Sequence, residues 1–207
     1  MPITPFHFGL GAALHSAAPK RVSFLAFCAA NVLIDIESLY NLVSGQYPVH
    51  AFLHTYIGAT LMAVATVALF MISRWFAAKA WLPNVFNWQA LQVSSVAVGA
   101  ALGAYSHVLL DSVMHVDIQP FSPFSTANPL LGVIPLGSLH MALLVLGAVG
   151  VVLVGLRKLY ADRGHAGVAL GAGEPPNHRQ TGVTMSWAKA ASVSEQAHQK
   201  QDHHQRK

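Results

Sequence analysis

The sequence predicts an all-α membrane protein. The expected architecture is a polytopic bundle of about four spanning helices, preceded by a short N-terminal helix and followed by a disordered C-terminal tail. Three observations predict it. Of the 207 residues, 54% are hydrophobic and 10% charged, whereas a soluble domain carries about 25% charged residues. The mean hydropathy is +0.47. Threading the apolar segments alternately through a bilayer also places every Lys and Arg on one side, as cytoplasmic loops require.

The elements follow in order. Residues 3–18, "ITPFHFGLGAALHSAA", are too short to span comfortably. No basic region precedes them, so they are expected to belong to the mature protein rather than to a secretory signal. Residues 22–43 are apolar up to Ile34 and then carry Asp35 and Glu37. Residues 51–73 are long enough to span, with His54 near their start, and residues 91–113 also reach the roughly 20 residues a span needs. A loop rich in Pro and Ser follows. Its Phe121-Ser122-Pro123-Phe124 stretch reads as a rigid turn or as the lining of a substrate mouth. Residues 136–156 form the last apolar segment, with His140 near its start. From about Asp162 the hydrophobic face is lost. The chain thus divides into a membrane-embedded domain, 1–160, and a disordered cytoplasmic tail, 161–207. Cys28 is the single cysteine, so no internal disulfide can form.

The formal net charge is +4, but its distribution excludes the usual reading of a basic chain as a nucleic-acid binder. If residues 3–18 run inward, Lys20, Arg21, Arg74, Lys79, Arg157, Lys158 and Arg163 all fall inside. Arg179, Lys189, Lys200, Arg206 and Lys207 in the tail do so too. The opposite, outer level then receives His7, Asp35, Glu37, His50, His54, His107, Asp111 and His115. Ionisable groups in hydrocarbon are costly and face a bundle interior or a wet cavity, with partners. No Lys or Arg lies at that level to neutralise the carboxylates, and a divalent metal would.

The spacing of these residues suits ligation. In "SHVLLDSVMH", His107, Asp111 and His115 recur every four residues and form a stripe about 12 Å long on a helix. His107 and Asp111 can grip one cation. His115 serves a second ion or lies outside the first set of ligands. His50 and His54 repeat the spacing and share a face if the helix begins by then. Asp35 and Glu37, two apart, point to different sides of a helix. Asp35 is the favoured direct ligand, and Glu37 is either a ligand or the general base. Mixed His and carboxylate donors suit Zn²⁺, with Mn²⁺ or Fe²⁺ as alternatives. The number of donors allows one or two ions, and a metal-activated water would then serve hydrolysis. His15 points toward the inner side, His140 reads as an interfacial histidine, and Asp117 as a helix terminator. The tail histidines 198, 203 and 204 read as solvated.

Several spaced motifs together resemble the YdjM-like family of bacterial inner-membrane, predicted metal-dependent hydrolases. They are "MPITPFHFGLGAALH", "NVLIDIES", "HAFLHTYIGA", "GAYSHVLLDSVMH" and "IQPFSPFSTANPL". The likeness covers residues 1–160. The family's early histidine falls on His7, its acidic pair on Asp35 and Glu37, its central histidine on His54, and its final His-x-x-x-Asp on His107 and Asp111. One departure is Leu33-Ile34 where the family often has a proline before its acidic pair. The order of ligands is also similar to that of zinc-dependent phospholipase C. The resemblance implies an integral inner-membrane hydrolase with a divalent metal. Together with the outer level of the polar cluster, this leads to the expectation of a multi-pass enzyme with its site at the periplasmic face, acting on a membrane lipid or lipid-linked ester or phosphoester. The metal ligands would be Asp35, His54, His107 and Asp111, joined by His7 or Glu37. His7 would otherwise protonate the leaving group, and Glu37 would take the water's proton. The alternative is a membrane protein that binds or transports metal without catalysis.

Overall fold

The structure, a computed structural model, describes residues 5–80 and 82–171. The described residues contain no strand, and the fold is all-α as expected. The helices are α1 (His7–Ala17), α2 (Phe24–Val43), α3 (Tyr56–Ala77), α4 (Val93–Met114) and α5 (Leu136–Gly171), with 3₁₀ turns at Phe52–His54 and Val85–Ala90. The chain divides into a unit of Met1–Leu159 and a second of Tyr160–Lys207. The site lies wholly in the first. Of the expected tail, residues 161–171 continue helix α5, and 172–207 lie outside the described residues.

Among the described residues, four segments are long and apolar enough to cross a membrane: Phe24–Val43, Tyr56–Ala77, Val93–Met114 and Leu136–Tyr160. Helix α1, with 11 residues, reaches only about 16 Å and cannot cross a hydrocarbon core of about 30 Å. The spans differ in burial: over an apolar 18-residue stretch of each, 44% of α2 and of α4 is inside the protein, against 17% of α3 and of the α5 span. Helices α2 and α4 therefore form the inner pair. The outer faces of α3 and α5, including Leu61, Val64, Leu69, Met141, Val145 and Val152, are left for lipid.

Helices α2 and α4 run parallel and in close contact. A Cβ on Gly99 would lie 2.3 Å from the Ser23 carbonyl oxygen, and one on Gly103 would lie 2.5 Å from that of Phe27. Small residues at this seam let two backbones approach, the usual device for helix association in lipid. Ala26, Ala30 and Ile34 of α2 pack with Val96, Ala100, Ala104 and Val108 of α4 and Ala59 of α3 into a buried apolar core. At the N-terminal end of α2, the Ser23 Oγ accepts a hydrogen bond from the Ala26 amide at 3.2 Å, which caps the helix.

The start of α3 differs from expectation. Helix begins at Tyr56, not at residue 51, because Thr55 is its cap: the Thr55 Oγ1 accepts from the Gly58 amide at 3.0 Å. The chain before it turns tightly through Phe52–His54. His50 and His54 are therefore not successive turns of one helix face. Beyond α4, the Phe121–Phe124 stretch is a turn closed by Phe124 N–H to Phe121 C=O at 3.0 Å. Asn128 Nδ2 donates to the Ser112 carbonyl at 2.9 Å, which satisfies one of the open carbonyls at the end of α4.

Candidate metal centre

One seam positions most of the donors. On α4 the residues facing α2 recur every four positions as Gly99, Gly103, His107 and Asp111, all buried. On α2 the facing residues are Phe27, Asn31 and Asp35, also buried. The spacing that lets the backbones touch at Gly103 carries His107 and Asp111 one and two turns further, against Asp35. The 3₁₀ turn between α2 and α3 adds His54 from the side. Asp35, His54, His107 and Asp111 are 6%, 0%, 1% and 2% exposed. They can present one donor atom each within a space that would hold a metal ion.

The separations define the shape. His107 Nε2 lies 3.2 Å from Asp35 Oδ1 and 3.3 Å from Asp111 Oδ2. His54 Nε2 lies 3.7 Å from Asp35 Oδ1, 3.6 Å from Asp111 Oδ2 and 3.3 Å from His107 Nε2. A tetrahedral ion with ligands at about 2.0–2.2 Å has ligand–ligand edges of about 3.3–3.6 Å. The five edges match that polyhedron closely. Two carboxylates and two imidazole nitrogens converge there, with no Lys or Arg among the described residues paired to them. The donor set fits a divalent cation.

A second layer of hydrogen bonds fixes which atoms face that point. Asn31 Nδ2 donates to the carbonyls of Phe27 and Gly103 at 2.8 and 3.3 Å. Its Oδ1 is thereby the atom turned to His107 Nδ1, 2.9 Å away. His107 must then donate from Nδ1, which leaves the Nε2 lone pair for the centre. His54 Nδ1 similarly lies 3.4 Å from the Ser38 hydroxyl, so its Nε2 also faces inward. Burial alone would lower the pKa of His54, but its contacts with Asp111 and Asp35 hold it above the ordinary value.

His7, from the first turn of α1, reaches the same centre. Its Nε2 is 3.1 Å from Asp111 Oδ1, and its ring stacks on that of His107 with centroids 4.6 Å apart. Asp111 thus turns one oxygen toward His7 and the other toward His54 and His107. Glu37 is not brought into the group. An unbroken α2 rotates it away from Asp35, and its carboxylate accepts the Phe52 and Leu53 amides at 3.2 and 2.6 Å. It holds the turn that presents His54, a role its sequence spacing does not disclose.

A neighbouring group was only partly foreseen. Asp117 does not merely end α4. Its Oδ2 accepts the amides of Val49 and His50 at 2.9 and 3.0 Å, and its Oδ1 faces His50 Nδ1 at 2.9 Å. Burial raises the Asp117 pKa in isolation, and the His50 bonds bring it below the ordinary carboxylate value. His115 lies beside His50, with ring centroids 4.2 Å apart. Burial pushes the pKa of His115 down to about 4 and lowers that of His50. His15 and His140 stay outside both groups: the first meets the Val22 carbonyl at 2.7 Å, the second stacks on Phe6. Asn31 and Ser38 were not singled out in the sequence. A polar residue one helical turn before Asp35 is the one signal that could have marked Asn31.

Two cavities, of about 360 and 540 Å³, lie toward the opposite ends of the helices, around Ser23, Leu91 and Trp88 and around His15, Cys28 and Phe86. Neither is lined by the metal-binding group. Set against protein-family models, curated proteins and solved structures, the chain finds no match, so the candidate centre is defined by its own geometry: two aspartates and two histidines whose donor atoms lie within 4.8 Å of one another in an all-helical bundle.

Proposed function

We propose that the protein is a membrane-embedded metal-dependent hydrolase of the kind its resemblance to the YdjM-like family implies, acting on a lipid or lipid-linked ester or phosphoester. The observation that carries this reading is the convergence of Asp35, His54, His107 and Asp111 at metal-ligand separations. Zn²⁺ is the first choice for two nitrogen and two oxygen donors, with Mn²⁺ or Fe²⁺ as alternatives. A bound metal supplies Lewis-acid activation of water and polarises the bond to be cleaved. The protein's own residues supply the rest. Asn31 and Ser38 orient the two imidazoles, and Glu37 fixes the turn bearing His54. His7, against Asp111, would pass a proton to the leaving group.

A second reading, a purely structural metal, is favoured by one feature: the group offers four protein donors, the number a structural tetrahedral site uses. Conduction of the ion is disfavoured. Beyond the centre Ala30 and Ile34 of α2 and Val96, Ala100 and Ala104 of α4 pack into a buried apolar cluster.

The test uses the full chain purified in detergent and assayed on mixed micelles of phospholipid and of carboxyl-ester lipid. Chelation is expected to abolish turnover and Zn²⁺ to restore it. His107→Ala and Asp111→Ala are each expected to lose metal and activity. Metal-dependent stability with no turnover of either lipid class would leave the structural reading. Turnover indifferent to chelation would reject metal-dependent hydrolysis.

A further inference from the structure

We propose that His50 and His115, backed by Asp117, form a second cation site beside the first. The three residues can present donor atoms within 4.8 Å of one another. His50 is 95% buried by its 5% exposure, and its Nε2 has no hydrogen-bond partner among the described residues. A buried ring nitrogen without a partner is costly. The other nitrogen explains its orientation. Asp117 Oδ1 accepts from His50 Nδ1 at 2.9 Å, while Asp117 Oδ2 is held by two backbone amides. A carboxylate behind Nδ1 is the support that metal-ligating histidines have, since it fixes the tautomer and turns the Nε2 lone pair outward.

The ring of His115 completes the pair, with its centroid 4.2 Å from that of His50. The His50 ring also meets the His54 ring edge-on, with centroids 4.8 Å apart. The second site is therefore adjacent to the first, and its ligands come from separate places: the loop before α3 and the residues just after α4. Two imidazoles, with the Asp117 oxygens already engaged by the His50 ring and two backbone amides, leave coordination positions open. This ion would be held less tightly than the first. The inference uses none of the first four donors and does not depend on hydrolysis.

Titration of the metal-stripped full chain with Co²⁺, followed by its visible absorption and by elemental analysis, tests it. The wild type is expected to take up two ions per chain, with the weaker one lost in His50→Gln and in His115→Gln. Asp117→Asn is expected to weaken that ion about 10–100-fold. A double variant Asp35→Asn, His107→Gln is expected to keep one ion, lost when His50→Gln is added. Helicity and elution volume identify any variant that fails to fold; His115 lies nearer the surface and gives the second, independent variant. Equal Co²⁺ uptake by folded wild type and His115→Gln would overturn the second site, whatever the first site binds. Uptake that vanishes with His107→Gln alone would likewise reject it.

Discussion

At the scale of single residues, type and spacing disclose a donor, but the hydrogen bond that aims it stays hidden. His107 and Asp111 were legible because four-residue spacing on a helix leaves little choice of direction. Glu37 was not. Its charge and its place beside Asp35 mark it as a ligand or base, yet the unbroken helix turns it onto the amides of Phe52 and Leu53. Those amides lie in a turn with no helix of its own to satisfy them, so a carboxylate is a strong partner for both. Glu37→Ala is expected to lower stability by about 1–3 kcal/mol, the usual cost of removing an ionic acceptor from such donors. Bound metal should persist at saturating Zn²⁺. Denaturation of the detergent-solubilised variant, paired with metal analysis, separates the roles. Unchanged stability with loss of metal would return Glu37 to the ligands.

At the scale of the elements, the apolar runs located the helices because a span must satisfy its backbone internally and present apolar side chains to lipid. What the runs could not locate is where helix gives way to turn. The first residues of the third segment look as apolar as the rest, but Thr55 caps α3 and leaves His50 and His54 outside it. The same limit applies to the seam. Gly99 and Gly103 read as ordinary small residues of a membrane span, and their function appears only when α2 lies against them. Gly103 is the sharper case. A Cβ there would approach the Phe27 carbonyl oxygen at 2.5 Å, Phe27 Cα at 3.0 Å and Asn31 Nδ2 at 3.1 Å. Backbone atoms cannot swing aside, so Gly103→Ala must part the two helices. Overpacking of this kind costs about 1–3 kcal/mol. It also displaces Asn31, which orients His107. The expected outcome is a lower melting temperature together with weaker Zn²⁺ binding, read by thermal unfolding and by competition with a chromophoric chelator. Gly99→Ala, which clashes with Ser23 at the far end of the seam, should lower stability with a smaller effect on the metal.

At the scale of the whole molecule, the charge distribution and the site make one statement. Within Met1–Leu159 the basic residues are Lys20, Arg21, Arg74, Lys79, Arg157 and Lys158. They lie before α2, at the end of α3 and late in α5. The metal-binding group lies late in α2, before α3 and late in α4, so the alternating spans separate the two sets by the thickness of the bundle. Arg and Lys collect on the cytoplasmic side of membrane proteins, so the candidate centre is expected at the outer level. Its substrate would then be drawn from the outer leaflet. The chain allows a direct test, because Cys28 is its single cysteine. In a Cys28→Ser background, Gln46→Cys and Ala80→Cys place thiols at exposed positions on the two sides of α3. A membrane-impermeant maleimide is expected to label Gln46→Cys in intact spheroplasts, and Ala80→Cys only after permeabilisation. The reverse pattern would turn the centre to the cytoplasm. A substrate exposed only on the outer leaflet would then be ruled out, while the ligand geometry would stand unchanged, since it depends on which helix ends meet and not on which side of the membrane they meet.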